Sequence, residues 1–327
     1  MIIDVHNHAV PRPLIDLVTA NPVYGVSAQE KPGSPLRQPD GSRRFSPGAL
    51  RSDPSTKVAQ LDEVGIDAAV VSLLPTLFAY EVDADAAVRL CETANSGLCE
   101  YADHDPSRLR WMAHVPLGVP DRIAQTLTDA AALGAAGVAV GTSIGQLRLD
   151  DARFEPLWAT AESLGLPVFI HPNYPEDITY PGLRDFHLAN CIGHPMETTI
   201  TIERLICTGT LDRHPHVRVV LSHAGGMFAL QAGRLKHART VRAELAGAPI
   251  DPWAYCGQIV VDTIAHDEQA LRYVVDRMGV DNVVLGTDLP ADMAPVDPVG
   301  QIRKAVGDEA ADTIMRSNTA RLYAFRR

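Results

Sequence analysis

Met1-Ile2-Ile3-Asp4-Val5-His6-Asn7-His8 opens the chain with an apolar run that ends in two histidines two positions apart. In a strand, side chains at i and i+2 point to the same side. A buried strand ending this way offers two imidazoles to one metal ion. The competing reading is a pair of ordinary loop histidines. What lies further along the chain decides between them.

Short apolar runs rich in Val or Ile recur at 2–5, 68–73, 111–115, 137–140, 167–170, 217–222, 258–261 and 282–285. Such continuous runs suit strands covered on both faces, as in a parallel sheet. Between them lie segments with helical periodicity, among them 83–101, 122–133, 154–164, 197–208, 268–278 and 301–306. Eight strands alternating with helices predict an α/β fold of the (β/α)8 TIM-barrel type, one domain over 1–327. An open doubly wound sheet is the alternative, but no Gly-rich nucleotide fingerprint follows any strand. No organic cofactor is therefore expected.

Two connections are too long for simple loops. The segment 9–57 after the first strand is rich in Pro, Gly, Ser and Arg, and reads as an irregular insertion rather than a helix. In a barrel it would lie at the C-terminal face, where it can act as a lid. The second, 171–216, holds a loop over 173–193 and then a helix.

The net charge of -11 argues against nucleic acid or an anionic membrane surface as partner. No apolar run is long enough to span a membrane, and the start carries no signal-peptide pattern, so a cytoplasmic protein is expected. The five cysteines are odd in number and lack a C-x-x-C spacing, which disfavours a disulfide framework or thiolate zinc site. Most read as buried packing residues.

Several strand ends carry chemistry. Strand one ends in His6 and His8, strand five in His171, strand six in Ser222-His223-Ala224-Gly225-Gly226, and strand eight in Gly286-Thr287-Asp288. The C-terminal ends of barrel strands converge on one mouth. His6, His8, His171 and Asp288 would then offer three nitrogens and a carboxylate, a set suited to zinc and compatible with manganese, iron(II) or cobalt. A metal there lowers the pKa of bound water towards neutrality. His223 beside it is placed to act as a general acid/base. Singly, each residue has a structural alternative, such as a turn histidine or a capping aspartate.

Together these residues resemble the mononuclear metal site of the amidohydrolase superfamily. Gly193-His194-Pro195-Met196-Glu197-Thr198-Thr199, Ser222-His223-Ala224-Gly225-Gly226, Gly233-Arg234 and Leu285-Gly286-Thr287-Asp288 are similar to its aminocarboxymuconate-semialdehyde decarboxylase-like branch. So is 74–80, which holds Phe78 in a substrate-side loop. The resemblance implies that His6, His8, His171 and Asp288 hold the metal, usually zinc, and that His223 and Asp288 are catalytic. It also implies a homodimer in which Arg234 reaches the partner's site to hold a substrate carboxylate, a task suited to a guanidinium. Read without the resemblance, Arg234 is a surface helix charge.

The chain departs from that pattern around the substrate. Asn173 stands where the decarboxylase has a tryptophan, and a second tryptophan falls near Asn190. An aromatic-rich segment is replaced by Leu289-Pro290-Ala291-Asp292, and an expected arginine falls near Phe45, beside Arg43 and Arg44. Arg44, Phe78, Asn173 and Arg234 are the candidate substrate contacts.

The expected reaction is metal-dependent, non-oxidative decarboxylation of a small unsaturated or aromatic carboxylic acid. The alternative on the same site is a hydrolase or hydratase of a lactone, ester or enoic acid. A remoter alternative is a non-catalytic metal-binding barrel. Asp262, at the end of strand seven, could orient a site histidine. His114 and His194 read as core or supporting residues, and His214, His216, His237 and His266 as surface ones. Trp111 and Trp158 read as packing residues.

Overall fold

Eight strands form one sheet, each hydrogen-bonded in parallel to the next: β1 (Ile3–Ala9), β2 (Ala68–Leu73), β3 (Leu109–His114), β4 (Gly137–Val140), β5 (Val168–Ile170), β6 (Val219–Leu221), β7 (Ile259–Asp262) and β8 (Val283–Val284). The computed structural model describes all residues except 27–35, 38–42, 46–52, 174–179, 181, 184, 249–250, 324 and 326–327, and only the backbone of 36–37 and 43–45. The barrel closes through β1 and the segment after β8. Val5 N–H donates to Leu285 O at 2.9 Å, Asp288 N–H to His6 O at 2.8 Å, and His8 N–H to Leu289 O at 2.8 Å. β1 runs to Ala9, beyond the apolar run, because Asn7, His8 and Ala9 continue to pair with Val71, Ser72 and Leu73 of β2.

The helices follow the strands. The longer ones are α1 (Arg12–Ala20), α2 (Pro54–Glu63), α3 (Ala84–Asp103), α4 (Pro120–Ala132), α5 (Glu155–Leu164), α6 (His194–Cys207), α7 (Phe228–Val241), α8 (Glu268–Met278) and α9 (Pro298–Val306). Their inward faces and the outer face of the sheet form one large apolar layer, with Leu90, Leu127, Leu157 and Leu205 among its members. A second apolar cluster fills the barrel: Ile3, Val5, Met112, Phe169, Val220 and Val260, with Tyr323 and Phe325 from the end of the chain packed into it. Each such wholly buried side chain contributes roughly 1.5–3 kcal/mol.

The segment 9–57 is not wholly irregular. It opens with α1, whose Leu14, Ile15 and Val18 are buried. Its prolines do not prevent this, because Pro13 occupies the first turn, where no intrahelical N–H is needed. Further on, Leu36–Arg37 pairs antiparallel with Arg43–Phe45. The residues expected to form a lid otherwise lie outside the described residues.

Two other expectations are corrected. Of the cysteines only Cys91 is buried, and Cys191 is exposed. His214 is not a surface residue but is 5% exposed, with Nε2 2.7 Å from Glu155 and Nδ1 3.2 Å from Glu162. Among the described residues, no helix is long and apolar enough to cross a membrane.

Candidate metal centre

His6 reaches the barrel axis because β1 breaks its own alternation. Ile3 and Val5 pack inside the barrel, so regular alternation would turn residues 6 and 8 outward. The register against β2 shifts between Asp4, which pairs with Ala69, and Asn7, which pairs with Val71. This bulge reverses the parity. The His6 ring then lies 5.1 Å from that of Phe169 inside the barrel. Gly286 makes room: a Cβ there would come within 2.9 Å of the His6 Cβ and 2.8 Å of the Asp262 Cβ.

The rings of His6, His8 and His171 stand edge to face, with centroids 4.9 to 5.2 Å apart. Each is fixed through Nδ1. His6 Nδ1 lies 2.7 Å from Asp262 Oδ2, His8 Nδ1 3.1 Å from Ser72 Oγ, and His171 Nδ1 2.8 Å from Pro172 O. A carboxylate and a carbonyl only accept, so Nδ1 carries the proton in His6 and His171. Ser72 fits the same tautomer in His8, because its hydroxyl donates to Asn7 O at 3.4 Å. When all three rings are neutral their Nε2 lone pairs therefore face the centre, and all three Nε2 atoms are buried without a hydrogen-bond partner.

Opposite them stands Asp288, held at φ 62°, a left-handed conformation that aspartate tolerates better than most residues. Its Oδ1 lies 3.0 Å from His8 Nε2 and 3.3 Å from His6 Nε2. With the rings neutral, acceptor faces acceptor across these gaps, an arrangement that favours a proton or a metal cation between them. The charges agree. Burial pulls the His6 imidazole down, but Asp288 and Asp262 outweigh it and raise its pKa to about 10. Burial lowers His8, and lowers His171 well below the usual value, so both stay neutral. Burial opposes ionisation of Asp288, yet His6, His223 and His8 hold it well below the carboxylate range. The site thus favours one positive charge, carried by a proton on His6 or by a metal. Nitrogen donors with one carboxylate fit a borderline divalent metal.

His223 stands at the edge of this group. One ligand-type atom from each of His6, His171, His223 and Asp288 lies within 4.8 Å of the others. His223 Nε2 is 3.7 Å from Asp288 Oδ2. Unlike the three pinned histidines, its Nδ1 makes no hydrogen bond, and its side chain is 15% exposed. Its backbone is left-handed at φ 54°, followed by Ala224 at 55°. Such strain persists only where the surroundings impose it. Here Asp262 does so, accepting from His223 N–H at 2.9 Å and Ala224 N–H at 2.7 Å. The chain then turns at Gly226, where a Cβ would meet Pro195 O at 2.3 Å.

The amidohydrolase family model matches residues 3–325, nearly the whole chain. This chain belongs to the amidohydrolase family. It is 30% identical over 264 residues to the 2-amino-3-carboxymuconate-6-semialdehyde decarboxylase of Dictyostelium discoideum, across 80% of this chain and 73% of that protein. In fold it matches the apo IDCase of Metarhizium anisopliae, with a TM-score of 0.86 at 24% identity, covering 100% of this chain and 98% of that one. It also matches 5-carboxyvanillate decarboxylase of Novosphingobium aromaticivorans, a structure holding manganese and 4-hydroxy-3-methoxy-5-nitrobenzoic acid. The TM-score there is 0.81 at 21% identity, over 99% of this chain and 96% of that one. The protein is an enzyme of the amidohydrolase superfamily, a decarboxylase or a hydrolase.

The remaining candidate contacts of this amidohydrolase are dispersed. Phe78 is buried and stacks on His114, with centroids 4.8 Å apart and planes at 24°. The Asn173 amide is committed to the loop after β4: Oδ1 accepts from Thr142 N–H at 2.9 Å, and Nδ2 donates to Ser143 O at 2.9 Å. Arg234 is exposed on α7. The side chain of Arg44 lies outside the described residues. His194 is buried, with its ring 6.2 Å from that of His223. Two features lie outside the local motifs: Ser72, and the pairing of Arg148 with Glu197, which ties the hairpin of Ser143–Ile144 and Leu147–Arg148 to α6. Ser72 was detectable in principle, as the one polar side chain in an apolar strand.

Proposed function

We propose that the enzyme is a metal-dependent, non-oxidative decarboxylase of a small unsaturated or aromatic carboxylic acid. The observation that carries this is the convergence of three pinned histidine Nε2 atoms on Asp288, with an unpinned, partly exposed histidine beside them. His6, His8, His171 and Asp288 would hold the metal: zinc by donor chemistry, with manganese supported by the fold neighbour that contains it. When bound, the metal supplies Lewis-acid attraction for the substrate's oxygens and offsets their charge.

The chain's own residues then divide the work. His223 delivers a proton to the carbon that bears the carboxylate. That protonation interrupts the conjugation. The carbon–carbon bond to the carboxylate then breaks, its electron pair restores the conjugated system, and carbon dioxide leaves. One proton has replaced one carbon dioxide, so no oxidant is needed. Asp288, 3.7 Å from His223 Nε2, steadies the imidazolium before transfer. The exposed edge of His223 lets solvent reprotonate it.

For the substrate carboxylate, Arg44 and Arg234 of the partner subunit are the proposed cations, which makes a homodimer the active unit. The name of the Dictyostelium relative supports decarboxylation. Turnover in heavy-oxygen water tests the assignment. Decarboxylation leaves the organic product without solvent oxygen. A product carrying solvent oxygen would assign hydrolysis or hydration instead.

A further inference from the structure

Lys57 is a lysine with no solvent exposure, on α2, away from the metal ligands in sequence. Its Nζ donates to Asn7 Oδ1 at 2.6 Å and reaches Leu289 O at 3.5 Å. Asn7 turns its other end to a carboxylate: Nδ2 donates to Asp4 Oδ2 at 2.7 Å. The same Oδ2 accepts from Thr287 Oγ1 at 2.6 Å, and Asp4 Oδ1 accepts from His6 N–H at 3.0 Å and Thr287 N–H at 3.2 Å. Thr287 Oγ1 in turn accepts from Leu289 N–H at 3.1 Å. All four side chains are buried.

The placement of these contacts is what matters. Asn7 lies between His6 and His8, and Thr287 and Leu289 lie on either side of Asp288. The network therefore grips both ligand-bearing segments at the residues next to the ligands, from behind, across the seam where the barrel closes. A buried cation and a buried anion are joined through one amide, whose orientation both ends dictate.

We propose that Lys57, acting through Asn7, Asp4 and Thr287, is a positioning residue that sets the spacing between the His6–His8 pair and Asp288. It thereby sets the affinity and geometry of the metal centre. The inference rests on reading His6, His8, His171 and Asp288 as that centre. Removal of the cation leaves Asn7 Oδ1 buried without its donor and frees the amide to turn, so the two segments lose their common anchor.

Cobalt(II) titration tests this, with affinity read by competition against a chelator and geometry by the visible absorption spectrum. Lys57→Met, measured where circular dichroism shows native signal, is expected to bind cobalt about ten- to hundred-fold more weakly, as loss of a supporting partner does. Its spectrum should also be altered. Lys57→Arg restores most of the affinity. Thr287→Val, which cuts the network on the other side of the seam, weakens cobalt in the same direction and carries the test if Lys57→Met does not fold. Ile123→Ala, in the outer apolar layer, shows what lost stability alone does. Wild-type affinity and spectrum in Lys57→Met and Thr287→Val would overturn the proposal, as would weakening no greater than that of Ile123→Ala. Absence of cobalt binding by the wild-type enzyme would instead overturn the metal centre itself.

Discussion

Asp262 Oδ2 lies 2.7 Å from His6 Nδ1, with both side chains fully buried. The same carboxylate holds the backbone of His223 and Ala224 in its left-handed turn. One residue thus orients a proposed metal ligand and places the proposed proton donor. Burial opposes its charge, but the His6 hydrogen bond and charge keep its pKa below the usual carboxylate value.

Asp262→Asn keeps the shape and removes the charge. Metal affinity is expected to fall about ten- to hundred-fold, measured by chelator competition. Turnover should fall even at saturating metal, because the His223 turn loosens. Unchanged affinity would show that Asp262 has no orienting role.

His223→Gln separates proton delivery from metal binding. The three pinned histidines and Asp288 remain, so metal content by elemental analysis should match the wild type. Rate should fall by roughly two to four orders of magnitude, the usual worth of a positioned acid/base. Loss of metal together with activity would make His223 a ligand rather than the proton donor.

Metal binding is expected to release protons. The metal-free site holds a proton on His6, whose pKa is raised to about 10. A metal competes for that position, so apparent affinity rises with pH up to that value. Calorimetry at about pH 7, in buffers of different ionisation enthalpy, should show about one proton released per metal. Binding without proton release contradicts this charge balance.

His114 makes a separate prediction about stability. It is fully buried, and burial lowers its pKa from 6.5 to about 4. The folded state therefore favours its neutral form. The sign follows: its contribution is complete above 6.5 and is lost as the pH falls towards 4. His114→Gln keeps a donor for Phe78 O, which His114 Nε2 meets at 3.1 Å, but does not titrate. Melting temperature should fall less between these pH values in the variant than in the wild type. Parallel curves would remove His114 as a source of acid sensitivity.

The barrel was legible in the sequence because doubly covered strands need continuous Val/Ile runs, and 68–73 and 137–140 match their strands residue for residue. Local patterns also marked His6, His8, His171, His223 and Asp288, since each ends an apolar run. What stayed hidden depends on pairing between distant segments. The bulge in β1 appears only in its register against β2. Lys57 closes the segment read as an irregular insertion, whereas it sits in α2 and is buried against Asn7 once the barrel closes over it. The hold of Thr142 and Ser143 on the Asn173 amide is likewise a contact between distant segments. The helix α1 was obscured by prolines that in fact sit at its start.

Exchange of a proton for a carboxylate at a metal centre leaves an isotopic mark when turnover is run in deuterium oxide. The metal-loaded enzyme would be incubated with a panel of hydroxybenzoic and unsaturated carboxylic acids, and gas and product analysed by mass spectrometry. Proton-for-carboxylate exchange requires carbon dioxide release, with one solvent deuteron on the carbon that lost the carboxylate, abolished by chelation. Turnover without carbon dioxide, or carbon dioxide release that persists without metal, would contradict it.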